Sequence, residues 1–325
     1  MRMTSIATFV VAVTLLAACG DDDETAETVA DATAGTTADT IADPTVAPPA
    51  SAVGTVGSTD TASGDAPAAI VSLSPTATEM LFAIGAGDQV IAVDSLSTYP
   101  AETADVVTDL SAFEPNVEAI AGYEPDLVVT SDDQVTDQLE GLGIDVWVGA
   151  AAATFDDAYA QLEQLGALTG HIAEAAEVVA AMQADLAEIA AAAPQPEVPL
   201  SVYHELDNTY YSANSATFIG QVYSLLGLQN IADTAEGDTG GYPQLNAEAI
   251  ISADPEIIFL ADGSFGESPE TVAARDGWAD IAAVRNGNIV VVDEDIASRW
   301  GPRVVDYART VSEAMTAAVA APAGG

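Results

Sequence analysis

From about residue 69 to the C-terminus, short apolar runs alternate with longer stretches whose apolar residues recur at helical spacing. "IVSLS" reads as a buried strand, "TATEMLFAIGAG" as a helix with a glycine stop, and "QVIAV" as the next strand. "NVEAIAGY" predicts a short helix broken by Pro125, "DLVVT" a strand, "DQVTDQLEGLG" a helix and "DVWVG" a strand. "TFDDAYAQLEQLGALTG" is a further helix. Residues 171–193 have no Gly or Pro and are rich in Ala, Glu and Leu, so they predict one long helix. "PQPEVP" ends it, and the alternation restarts with "LSVYHEL", "ATFIGQVYSLLG", "NAEAIIS", "PEIIFLA", "GNIVVVD" and "PRVVDYARTVSEAMTAAV". Strands alternating with helices argue for parallel sheets covered on both faces. The expected fold is α/β, with two parallel-sheet lobes, residues 68–170 and 194–325, joined by the single long helix 171–193.

The N-terminal sequence is of another kind. Arg2 and the apolar run "IATFVVAVTLL" have the shape of a signal segment, the run being too short to span a membrane. It closes on "LAAC", and Cys19 is the only cysteine, so an intramolecular disulfide is excluded. The segment resembles a bacterial lipoprotein signal. That resemblance implies removal of residues 1–18, lipidation of Cys19, and an extracytoplasmic protein held at the cell membrane. The alternative is a plain secretory signal with a chance cysteine. Residues 19–67 are Asp, Thr, Ala, Gly, Ser and Pro with no aromatic residue, and predict a disordered acidic linker. Its root-mean-square reach would be roughly 35–40 Å.

Charge narrows the function classes. The chain has 325 residues and a formal net charge of -45, from 51 acidic residues against six basic ones. All six are Arg, and after Arg2 the next is Arg275. Nucleic-acid binding needs cations against phosphates and is excluded. An acidic surface of this size repels anions and suits a salty medium.

One motif occurs twice. "PNVEAIAGYEPDLVV" begins at Pro115 and "LNAEAIISADPEIIF" at Leu245, so Glu118 corresponds to Glu248 and Pro125 to Pro255. An acid in the first turn of a helix is favoured by the helix dipole, which explains each Glu singly. Duplication retained for the fold alone would explain the shared Ile and Pro.

Together with "SLSPTATEMLFAIGAGDQVIAV" and "DIASRWGPRVVD", these blocks resemble the substrate-binding proteins of ABC importers for cobalamin, ferric siderophores and haem, nearest the cobalamin branch. The resemblance covers about residues 69–320. It implies a ligand cleft between the lobes and a permease dimer as partner, onto whose arginines Glu118 and Glu248 dock. It implies no catalytic residue, no resident cofactor or metal site, and a ligand that is itself a metal chelate, a corrinoid before a ferric siderophore. Pro75, Tyr242, Asp295 and Arg299 match ligand-contacting positions of that branch; Tyr242 stands where a Trp is usual.

Read from the residues, the cleft would draw on loops at the carboxyl ends of strands: Pro75, Tyr99, Phe113 and Ser131 from the first lobe, and Leu206, Tyr242, Asp295 and Arg299 from the second. Arg299 would be its main cation, with Arg303 structural; the alternative for Arg299 is a local ion pair with Asp295. So few cations disfavour a triply anionic catecholate and leave a corrinoid or a ferric hydroxamate. Haem would need an axial ligand; His171 and His204 read as structural, whereas Tyr203 and Tyr242 keep haem open. G-x-S-x-G, P-loop, G-x-G-x-x-G and H-E-x-x-H motifs are missing, which argues against an enzyme, although plentiful carboxylates leave a surface α/β hydrolase as the alternative from another class.

Overall fold

The structure, a computed structural model, describes residues 66–237 and 239–320. The expected signal segment, Cys19 and almost all of the acidic linker lie outside them.

Two four-stranded sheets share one topology. In the first, β1 (Ile70–Ser72), β2 (Val90–Val93), β3 (Leu127–Thr130) and β4 (Asp145–Val148) are all parallel, in the order β2-β1-β3-β4. In the second, β5 (Ser201–Glu205), β6 (Gln229–Asn230), β7 (Ile257–Leu260) and β8 (Ile289–Val291) repeat it as β6-β5-β7-β8. The repeated motif thus supplies β3 and β7, the same inner strand of each sheet. Helices α1 (Pro75–Ala83), α2 (Val117–Ala121) and α3 (Thr136–Glu140) connect the first sheet. The second has α6 (Phe218–Leu225), α7 (Ala247–Ala253), α8 (Pro269–Ala273), α9 (Ala282–Asn286) and α10 (Glu294–Ser298). Between the sheets run α4 (Phe155–Thr169) and α5 (Ile172–Ala192), and α11 (Val304–Ala320) closes the described chain.

The strands are apolar throughout because both faces are buried. Along β3, Leu127 and Val129 face one core and Val128 the other; along β7, Ile257 and Phe259 face one, Ile258 and Leu260 the other. The outer core of each sheet is its own. The inner core is common to both, running from Ile70 and Met80 through Leu162, Val179 and Met182 to Val202, Phe259 and Val311. Helix α5 offers it a stripe of Ala175, Val179, Met182 and Leu186, the spacing of one helix face. Helices α4 and α5 meet closely at Gly166, where an added Cβ would lie 2.5 Å from that of Ala175. The long helix therefore does more than connect: it lies in a core with α11 that both sheets share.

Local signals start the helices. Ser74 caps α1, its hydroxyl accepting from the Ala77 N–H, with Pro75 at the first helical position. Thr154 and Asp157 form a capping box at α4. No helix among the described residues is long and apolar enough to cross a membrane.

Candidate functional site

The segments that follow the strands of the two sheets meet at an ion cluster. Glu79, on α1 just after β1, has a side chain 1% exposed. One oxygen accepts from Arg299 Nη1 at 2.7 Å, and the carboxylate also accepts from Nε of Arg303 at 2.9 Å and from its Nη2. The other end of Arg299 donates to Asp295 at 2.6 Å and to the Leu96 carbonyl, in the loop after β2, at 3.1 Å. Arg303 also lies over the Tyr99 ring, 4.2 Å from its centroid. The adjoining Trp300 donates to Gln161 of α4 at 2.8 Å. Residues 299–303, between α10 and α11, are thereby clasped to the first lobe.

This corrects one expectation. Arg299 is not a free ligand-binding cation: it is buried, and each terminal nitrogen already holds a carboxylate. Arg303, expected to be structural, shares the same acceptor. Both arginines answer Glu79, the one charged residue between Ile70 and Gln89 other than Asp88.

The other candidates fall into two groups. Tyr99, Phe113 and Tyr242 are exposed, Phe113 by 75%. Pro75, Ser131 and Leu206 are half-buried, close behind β1, β3 and β5. Phe113 lines a depression of about 530 Å³ together with Asn116, Glu118 and Gln138. A larger cavity, about 1010 Å³, runs from Tyr99 and Arg303 along α5 and α11 past Met182 and Asp306. Because Asp88 and Val90 line it, this groove extends toward the amino end of β2, away from the strand ends.

A second buried cluster sits behind β5 and β7. Glu205 takes a bidentate pair of bonds from Arg275, at 2.7 and 2.6 Å, and Glu267 a third at 2.7 Å. Arg275 lies 4.6 Å from the Trp278 ring centroid. Asp262 is buried beside them, and both of its oxygens lack a hydrogen-bond partner. Burial and then the Glu205 charge push its pKa up to about 6.

Glu118 and Glu248 occupy the same place on α2 and α7. Each is the second residue of its helix, follows an Asn cap that accepts from the N–H three residues on, and is exposed. The rest of the motif has structural work. Ile120 and Ile250 are fully buried. Glu124 and Asp254 turn the chain with φ of 50° and 46°, a left-handed conformation rare outside Gly. Asp126 accepts from the N–H groups of Ala68 and Ala69, and Glu256 from that of Ser201, tying β3 to β1 and β7 to β5. Only the two glutamates are repeated without a partner among the described residues.

Residues 70–296 match the family model described as periplasmic binding protein. The chain belongs to the periplasmic binding protein family. It is 31% identical over 261 residues to an uncharacterized ABC transporter substrate-binding lipoprotein of Bacillus subtilis, covering 77% of this chain and 80% of that one. A cobalamin-binding protein of Halobacterium salinarum is 33% identical over 251 residues, 74% of this chain and 67% of that one. Among solved structures, the apo periplasmic heme-binding protein of Roseiflexus sp. RS-1 superposes with a TM-score of 0.69 at 23% identity, over 78% of this chain and all of that one, a likeness of fold.

Within this periplasmic binding protein, His204 is a core residue. Its Nδ1 is 2.7 Å from the Tyr223 hydroxyl and 3.3 Å from that of Tyr307, and burial lowers its pKa to about 4. Tyr203 is fully buried as well, which removes it as an axial ligand and leaves Tyr242. Sequence reading passed over Glu79, Asp262 and the Glu205–Arg275 pair. A lone acid in an otherwise uncharged helix was the available signal for Glu79; Asp262 offers none locally.

Proposed function

We propose that this chain is the lipid-anchored receptor of an ABC importer, capturing a metal chelate between its lobes and presenting it to the permease. The observation that carries the receptor role is the pair of exposed, unpartnered glutamates at equivalent points of two equivalent lobes. A two-fold permease needs the same handle at both ends, and exposed carboxylates at helix starts suit arginine partners. The Bacillus relative, named as a substrate-binding lipoprotein, supports the importer and the anchor at Cys19.

For the ligand, a corrinoid is the first reading, supported by the Halobacterium relative's name. Exposed Tyr99, Phe113 and Tyr242 offer aromatic faces to a large, flat, largely uncharged molecule. Pro75, Ser131, Leu206 and Asp295 would complete the site. A ferric hydroxamate is the second reading, favoured by the same shortage of free cations. The role is binding, not catalysis.

A thermal-shift panel of cyanocobalamin, cobinamide, ferric hydroxamates, a ferric catecholate and haemin tests this. A true ligand at a hundred times its Kd stabilises by about 2.7 kcal/mol. For a domain of this size that raises Tm by roughly 5–10 °C. A shift with a corrinoid supports the first reading, a shift with hydroxamates alone the second. A panel without any shift removes the chelate.

A further inference from the structure

Resting on the reading of the chain as a chelate receptor, we propose that its cleft selects ligands by charge, admitting neutral and cationic chelates and rejecting anionic ones. The described residues hold five arginines and no lysine. Arg299 and Arg303 are bound to Glu79 and Asp295, and Arg275 to Glu205 and Glu267. Arg309 pairs with Asp306 on the exposed side of α11, and Arg285 donates to the Asp280 carbonyl at the far end of β8. Among the described residues, the segments that follow the strands therefore have no cation free to meet an anionic ligand in the proposed cleft.

Acids at those ends are not neutralised in the same way. Asp132 and Asp133 follow β3, Asp207 follows β5, and Asp293 and Glu294 follow β8. None of the five has a basic partner within 4.0 Å among the described residues. Three of them only accept local bonds, Asp132 from Gln134, Asp207 from Thr209 and Asp293 from the Asp295 and Ile296 N–H groups, and Glu294 accepts from the Ser264 hydroxyl. A concave site lined by one sign of charge concentrates its field and repels a ligand of that sign. Arg299, which the sequence places in the cleft, serves instead with Arg303 to tie residues 299–303 to Glu79 of the first lobe.

The test uses ligands that differ in charge, and in the corrinoid series hardly in shape. Cyanocobalamin is compared with its mono- and tricarboxylate derivatives, in which side-chain amides are hydrolysed. In parallel, ferrioxamine B, a cation, is compared with neutral ferrichrome and a ferric tris-catecholate. Dissociation constants are measured by calorimetry in 50 mM and 1 M NaCl. The expected result is a loss of at least tenfold per series between the most cationic or neutral member and the most anionic one at low salt. The ratio should contract at 1 M, where the screening length is about 3 Å. In the double variant Asp132→Asn with Glu294→Gln the low-salt ratio should also shrink.

Equal or tighter binding of the carboxylate derivatives, or a ratio indifferent to salt and to the double variant, overturns the inference while leaving the receptor reading intact. Charge ordering in the hydroxamate series with no corrinoid binding keeps the inference and removes the corrinoid. If no chelate of either series binds at either salt, the receptor reading falls and the charge inference falls with it.

Discussion

Replacing Glu79 by Gln should be among the most destabilising single changes in the chain. The substitution keeps size and shape but removes the charge that two guanidinium groups share. The Arg299 and Arg303 side chains are 8% and 13% exposed, so neither can turn to water without moving the 299–303 segment. Breaking a buried pair by neutralising one partner costs about 3–5 kcal/mol, and here Arg303 would stay buried without a paired carboxylate while Arg299 keeps only Asp295. For a folded region of this size the corresponding fall in Tm is roughly 6–20 °C. Differential scanning calorimetry of the wild type and Glu79→Gln gives the value directly. The exposed Arg309–Asp306 pair supplies the control: Arg309→Ala should change stability by less than about 1 kcal/mol. Replacing all three members together, Glu79→Leu with Arg299→Met and Arg303→Met, should recover much of the loss, since the one charge left without its partner, Asp295, is 41% exposed and can be met by water. A fall of under about 2 °C for Glu79→Gln, or a triple variant no better than the single one, would refute the clamp.

Four further outcomes are expected. Asp262→Asn should raise Tm at pH 7.5: the folded pKa, about 6, lies above the ordinary carboxylate value of 3.8, so the folded state binds more protons than the unfolded state between them and the wild type loses stability as pH rises through that window. The gain should fade as pH falls from 6 to 4, and a constant difference between the two Tm curves would refute the assignment. Glu118→Ala with Glu248→Ala should leave Tm and ligand affinity within about 0.5 kcal/mol of wild type, as exposed positions do, while uptake in cells falls sharply; retained uptake removes the docking role. Phe113→Ala should weaken chelate binding at least several-fold by calorimetry without lowering Tm, because the side chain is exposed in the free protein. Cys19→Ser should release the protein from membranes in fractionation experiments, and retention through a salt wash would argue against the anchor.

The fold was legible because its signals are local. Strands buried on both faces are written as continuous apolar runs, and Ser74, Asn116, Thr154 and Asn246 mark helix starts within three residues of the groups they cap. Two-residue β6 and the five-residue helices α8, α9 and α10 are too short to show a period. The repeated glutamates were legible by repetition, and the structure separates them from the buried Ile, the left-handed turn and the strand-tying acid that the fold itself requires. Arg299 was misjudged for the opposite reason. Its near neighbour Asp295 is visible in sequence, whereas Glu79 lies 220 residues away and no local pattern reports such a pairing. Asp262 shares the difficulty: what raises its pKa is burial behind β7 and the charge of Glu205, on another strand.

The clasp between α1 and residues 299–303 also bears on the order in which the chain can be finished. It joins positions 220 and 224 apart, among the longest separations available to the described residues. Closing so long a loop is entropically unfavourable until other contacts have drawn its ends together. During synthesis the first sheet emerges with Glu79 already in place but its arginines not yet made, and with α11 still missing from the inner core. The first lobe therefore begins the molecule yet is among the last parts to be completed, since its final wall comes from the C-terminal end of the chain.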